Sequence, residues 1–146
     1  MTKLAERPVV GRLVVPFMVD EAQQPIRFTE LDHAHIAACA ERGLCGICGG
    51  KIRRSPIAFI GPDDDRRCFA DPWMHPDCAE VAMAQCPFLA GRRDWREPDA
   101  RVDPLTARYS AGMVIVLATN WRSHRDAFEH WHFEAIGPVR RAVPRG

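Results

Sequence analysis

A chain of 146 residues is one domain's length, and 47% hydrophobic with 27% charged residues is the composition of an ordinary folded protein. Its 20 basic and 19 acidic residues leave a formal charge of +1, which argues against a dedicated, uniformly basic duplex-DNA binder. No apolar run approaches the roughly 18 residues of a membrane span, and no apolar stretch of a signal peptide follows the charged start, so membrane and secreted classes are set aside. The six cysteines are then expected as thiols or metal ligands in a reducing cytoplasm, not as disulfides.

In chain order, Val9 to Val19 is β-branched and apolar but broken by Gly11 and Pro16, which predicts an edge strand or a broken strand pair. Ile26 to Thr29 reads as a short strand. Thr29 and Asp32 have the spacing of a capping box, and a helix is predicted from Leu31 to Arg42, with Ile36, Cys39 and Ala40 on its buried stripe and Gly43 just past its end. A glycine-rich turn follows at Cys45 to Gly50. Lys51 to Ile60 and Arg66 to Ala70 read as two strands joined by the turn at Gly61 to Asp65. A second helix is predicted from Pro76 to Gln85, since Pro suits the first helical position and Asp77 the positive end of the helix dipole. Residues 91–106 are polar and aperiodic, an expected loop. Met113 to Thr119 is the best strand. Trp121 to Asp126 reads as a turn, Ala127 to Ile136 as its partner strand, and the rest as a basic tail.

The strongest chemical signal is Cys45-x-x-Cys48, then 26 residues, then His75-x-x-Cys78. Structural zinc takes four tetrahedral N and S ligands, three Cys and one His being a common set. A C-x-x-C turn brings two thiolates to one ion, and Cys78 falls in the first turn of the second helix, where the dipole favours a thiolate. Knuckle, hairpin, then a helix carrying the second pair is the layout of a treble clef. The sequence therefore predicts an α+β fold: a treble-clef zinc domain with a flanking β-hairpin and an N-terminal helix. It is expected to be one domain over 1–146, with a zinc core near 43–90 and a C-terminal hairpin near 112–137. Of the remaining cysteines, Cys39 and Cys68 are expected in the core. Cys86 lies two helical turns beyond Cys78, about 12 Å, too far to join the same ion.

Four clusters together resemble an uncharacterised family of small proteins encoded by bacteria and bacteriophages. They are Cys45-Gly46-Ile47-Cys48-Gly49, Ala58 to Pro62, His75-Pro76-Asp77-Cys78-Ala79-Glu80 and Cys86-Pro87-Phe88-Leu89, and the likeness runs from Val14 to Val139. The resemblance implies a zinc-stabilised small domain and no particular activity.

His130 and His132 are a second feature. On a strand they would share one face about 6.5 to 7 Å apart, close enough to share a metal if His124, Asp126 or His35 supplied a third ligand. An exposed polar face is the simpler reading. His33 and His35 point in opposed directions on a helix and cannot chelate together. The chain lacks the H-x-E of zinc deaminases and any histidine between Gly49 and Met74 that an HNH-type nuclease would use. Asp63 to Asp65 reads as a solvated turn.

The function expected from the sequence is that of a small binding module held together by one structural zinc. Lys51, Arg53, Arg54, Arg66 and Arg67 would face nucleic acid or an acidic protein partner, or balance the negative charge of a zinc bound by three thiolates. A metalloenzyme with a second metal or substrate site at His130 and His132 is the alternative, and an interaction adaptor using Trp73, Trp95 and Trp121 is the third.

Overall fold

The computed structural model describes residues 3–11, 13–27, 30–85 and 113–142. A short 3-10 turn at Leu4–Glu6 precedes strands β1 (Val9–Val10) and β2 (Leu13–Val14), which pair antiparallel. The broken strand pair is therefore present, with Gly11 at φ +63°, a left-handed conformation that costs glycine nothing. The expected strand at Ile26 to Thr29 is not formed at Ile26 and Arg27, and the last two of its residues lie outside the described set. A single bridge between Val19 and Leu31 stands in its place.

Helix α1 (His33–Arg42) starts two residues later than expected. The capping oxygen comes from Asp32, whose side chain accepts from the amides of Ala34 and His35, so Asp32 ends the incoming chain instead of closing a box begun at Thr29. Gly43 at φ +67° ends the helix as expected. Ile36 and Cys39 face the core. Strands β3 (Ile57–Pro62) and β4 (Cys68–Phe69), helix α2 (Pro76–Gln85), and strands β5 (Met113–Arg125) and β6 (Trp131–Ala142) complete the described elements.

The last four strands form one antiparallel sheet in the order β3-β5-β6-β4. This corrects the expected hairpin of Lys51 to Ile60 with Arg66 to Ala70, because β3 and β4 lie on opposite edges and share no ladder. The cause is burial. Residues 57–61 are buried without alternation, so β3 needs apolar cover on both faces. Its best partner is the apolar half of β5, and the register runs from Ile57 opposite Ala118 to Pro62 opposite Met113. Strand β4 is reduced to two residues, Cys68 opposite Glu134 and Phe69 opposite Phe133. The two edges still meet through side chains: Phe59 and Phe69 stack at 4.8 Å, and a Cβ on Gly61 would lie 2.6 Å from the Phe69 ring.

The C-terminal hairpin is longer than its apolar pattern. Trp121 to Arg125 continues β5, the reversal falls at residues 126–130, and β6 extends to Ala142. Pairing overrides local polarity here. Gly137 and Pro138 on β6 stand against Thr119 alone on β5, a bulge that accommodates a proline without loss of a ladder bond. Asp126 shapes the reversal. Its side chain accepts from the amides of Phe128 at 2.8 Å and His130 at 3.0 Å, and its carbonyl accepts from Glu129. Helix α2 covers β3 and β5, and α1 lies against β5 and β6, where the Ser123 hydroxyl donates to the Ala40 carbonyl at 3.2 Å. Phe59, Phe133, Ile57, Met74 and Val116 are fully enclosed between these layers, with Trp73 edge-on to Phe133 at 4.9 Å. Among the described residues no helix is long and apolar enough to cross a membrane.

Phe59→Ala should cost about 3–5 kcal/mol in urea unfolding, the range for emptying a fully buried aromatic site. A second expectation concerns acid. The bond with His132, then the amide of His130, holds the Asp126 carboxyl down at about 2 against an ordinary 3.8. A depressed pKa stabilises the fold above the unfolded value and ceases to do so as pH falls through the folded one. The stability difference between wild type and Asp126→Asn should therefore be present above pH 3.8 and close as pH falls toward about 2, as read by thermal melts.

Candidate metal centre

Three segments converge on one point. The first is the turn at Cys45 to Cys48, held at its base by a bridge between Leu44 and Lys51 and by the Cys45 amide donating to the Gly50 carbonyl at 2.8 Å. The second is the chain at Phe17 and Met18, whose amides donate to the Ile47 and Gly46 carbonyls. The third is the strand-like stretch at Trp73 and Met74. Trp73 accepts the Gly46 amide, and Met74 exchanges two backbone bonds with Ala58 of β3. These bonds carry His75 and the start of α2 to the turn. The turn needs its glycines. A Cβ at Gly46 would lie 2.9 Å from Pro72, and Gly49 has φ +76° with its missing Cβ 2.7 Å from the Phe17 ring.

Cys45, Cys48, His75 and Cys78 are the result, with ligand atoms all within 4.8 Å of one another. His75 Nδ1 is 3.4 Å from Cys48 Sγ and 3.9 Å from Cys78 Sγ. Its Nε2 faces the Lys51 carbonyl at 3.3 Å. A proton placed on Nε2 donates to that carbonyl and leaves Nδ1 free to bind a cation, the usual outer bond of a ligating histidine. Backbone amides of Ile47 and His75 point at Cys45 Sγ, each at 3.4 Å, and that of Gly50 at Cys48 Sγ at 3.3 Å. All three cysteines are buried and His75 is half-buried.

The thiols cannot ionise independently. Burial pushes Cys45 up to about 11. Thiol donation from Cys45 and Cys78 holds Cys48 well below the usual thiol range, and the same donation pushes Cys78 far above it. The three thiols are tied together by their mutual hydrogen bonds, and a metal cation is what would let all three become thiolates. These four residues could hold a metal ion. Cys39, Cys45, Cys48, Cys68 and Cys78 are all free thiols, so the described cysteines form no disulfide. Cys39 is core as expected, with burial raising it to about 12, whereas Cys68 is exposed and corrects that expectation. Cys86 lies outside the described residues.

The histidine expectation is also corrected. His130 lies in the reversal just before β6, is 76% exposed, and has its Nδ1 4.0 Å from the Asp126 Oδ2 that His132 also meets. His132 instead faces His124 directly across the ladder, rings 5.2 Å apart and nearly parallel, and its Nε2 lies 2.8 Å from Asp126 Oδ2. His35 stacks on Phe17 at 4.1 Å and pairs its Nδ1 with the Phe17 carbonyl, far from chelation in role. Of the basic residues, Arg66 closes on Asp64 at 3.0 Å and Arg67 donates to the Gly137 carbonyl. Lys51, Arg53 and Arg54 are exposed directly after the turn. Trp73 is only 3% exposed and cannot serve as an adaptor surface; Trp121 is half-buried, and Trp95 lies outside the described residues.

Comparison of the chain with protein-family models, with curated proteins and with solved structures gives no match.

Gly49→Ala should lower stability by more than Gly11→Ala. Both pay the left-handed penalty of about 1–2 kcal/mol, but only Gly49 also drives a Cβ into Phe17. Paired chemical denaturation curves read the difference directly.

Proposed function

We propose that Cys45, Cys48, His75 and Cys78 hold one structural zinc ion, and that the chain is a small zinc-stabilised binding module. The observation that carries this is the spacing of the donors. Zinc bonds of about 2.3 Å to sulfur and 2.0–2.1 Å to nitrogen give a tetrahedral S–N edge of about 3.6 Å. The distances of 3.4 and 3.9 Å from His75 Nδ1 bracket that edge. A buried, four-donor set is closed to substrate, which is the mark of a structural site. The thiols suit a reducing compartment, consistent with a cytoplasmic protein. The treble-clef reading rests on the order knuckle, β3, β4, α2 alone, since β3 and β4 share no ladder. Kinship with the small bacterial and bacteriophage-encoded proteins rests on the sequence motifs alone.

Zinc with three thiolates carries a net negative charge, and the exposed Lys51, Arg53 and Arg54 follow the turn directly in sequence. Part of their role is to offset that charge. The remainder forms a short basic edge suited to a phosphate backbone, or failing that to an acidic protein segment.

Purified protein should carry one tightly held zinc, read by inductively coupled plasma mass spectrometry. Cys48→Ala should lose it and unfold, because structural zinc contributes roughly 10–16 kcal/mol of apparent binding energy to folding. A Cys48→Ala protein with native melting behaviour and undiminished zinc would refute the site. For the basic edge, fluorescence anisotropy with single-stranded and duplex oligonucleotides should show weak binding that falls steeply with salt. Replacing Arg53 and Arg54 by Ala should weaken it and reduce the salt slope by about 2, one for each lost phosphate contact. Absence of binding at low salt would favour the acidic protein partner.

A further inference from the structure

We infer that Cys68, His124 and His132 form a second, exchangeable site for a zinc-type transition-metal ion on the outer face of the sheet. The three residues come from the three adjacent strands β4, β5 and β6. His124 and His132 stand directly opposite each other, and Cys68 stands opposite Glu134, which lies two residues beyond His132 on the same face. The alternate residues Phe69, Phe133 and Ala135 are buried on the other face. The pleat thus turns one thiol and two imidazoles outward together, and their ligand atoms lie within 4.8 Å of one another.

The donor types select the ion. A thiolate with two imidazoles suits zinc, cobalt or copper and not magnesium or calcium, which take oxygen. Each imidazole also has a carboxylate behind it. Asp126 Oδ2 lies 2.8 Å from His132 Nε2, and Glu134 Oε2 lies 3.9 Å from His124 Nδ1. Glu134 is itself held by Arg122, whose Nε and Nη2 donate to its two oxygens at 3.0 and 3.2 Å. The Asp126 carboxylate, in hydrogen-bond contact, would orient His132 and raise its basicity, whereas Glu134 only places a negative charge near His124.

The site differs in kind from the buried cluster. It has three protein donors, not four, and it faces solvent: the His124 side chain is 48% exposed and that of His132 30%. Three donors with an open fourth position is the arrangement of zinc sites that exchange water for another ligand. An ion there would bind reversibly and would leave the fold standing when removed.

The test uses zinc-loaded full-length protein titrated with Co²⁺. About one added equivalent should produce near-ultraviolet thiolate-to-cobalt charge-transfer bands, and excess Zn²⁺ should bleach them. Cys68→Ser should abolish these bands, and His124→Ala should weaken Co²⁺ binding at least tenfold, with circular dichroism and melting temperature of the untreated proteins unchanged. Bands that persist in Cys68→Ser but vanish in Cys48→Ala belong to the buried cluster, so failure of that site is read separately. Cobalt spectra and stoichiometry identical among wild type, Cys68→Ser and His124→Ala would overturn the second site.

Discussion

Three thiols and an imidazole packed around one point cannot all reach their metal-binding state without a cation. Mutual hydrogen bonding pulls Cys48 down and pushes Cys78 up, so the sulfurs oppose one another's ionisation. The surrounding backbone is arranged to receive negative charge. Three amides point at sulfur, and the Lys51 carbonyl fixes the outer nitrogen of His75. The ends of α1 and α2, the Phe17 segment and the edge of β3 all meet at this cluster. Its state governs whether those elements remain joined.

The second organising constraint is the demand of β3 for cover. A run buried on both faces needs apolar neighbours, and β3 finds them in the apolar half of β5 on one side and in the Met74 bridge on the other. That choice sends β4 across the sheet to β6. The stacking of Phe59 on Phe69 then brings the separated edges back into contact, with Gly61 making room. The same crossing carries Cys68 to the outer face beside His124 and His132. A thiol that the usual burial of free cysteine would assign to the core is thereby placed in solvent.

The two Cys/His clusters illustrate how burial and donor number divide roles. The inner one is closed, four-donor and clamped by backbone bonds from three segments. The outer one is open, three-donor and backed by the carboxylate of Asp126. An ion in the inner cluster would cross-link segments far apart in sequence, whereas one in the outer cluster would bridge strands already joined by a ladder.

Much of the inner site was legible from residues alone. The C-x-x-C and H-x-x-C pairs, the glycines of the turn, Gly43 as helix terminator and Pro76 as helix starter are local features. Their physical causes, left-handed backbone and helix-end geometry, act within a few residues. The partnering of strands was not legible. Whether Ile57 to Ile60 pairs with the next strand or with one more than 50 residues away depends on which partner buries it, and that is decided only when all the apolar surfaces compete. The extent of β5 through polar Trp121 to Arg125 likewise comes from the ladder with β6, not from its own composition. His130 and His132 looked like the pair because they are close in sequence. Tertiary register made the pair His124 and His132 and added Cys68, since a cross-strand neighbour is nearer in space than a residue two positions along a chain that has already turned.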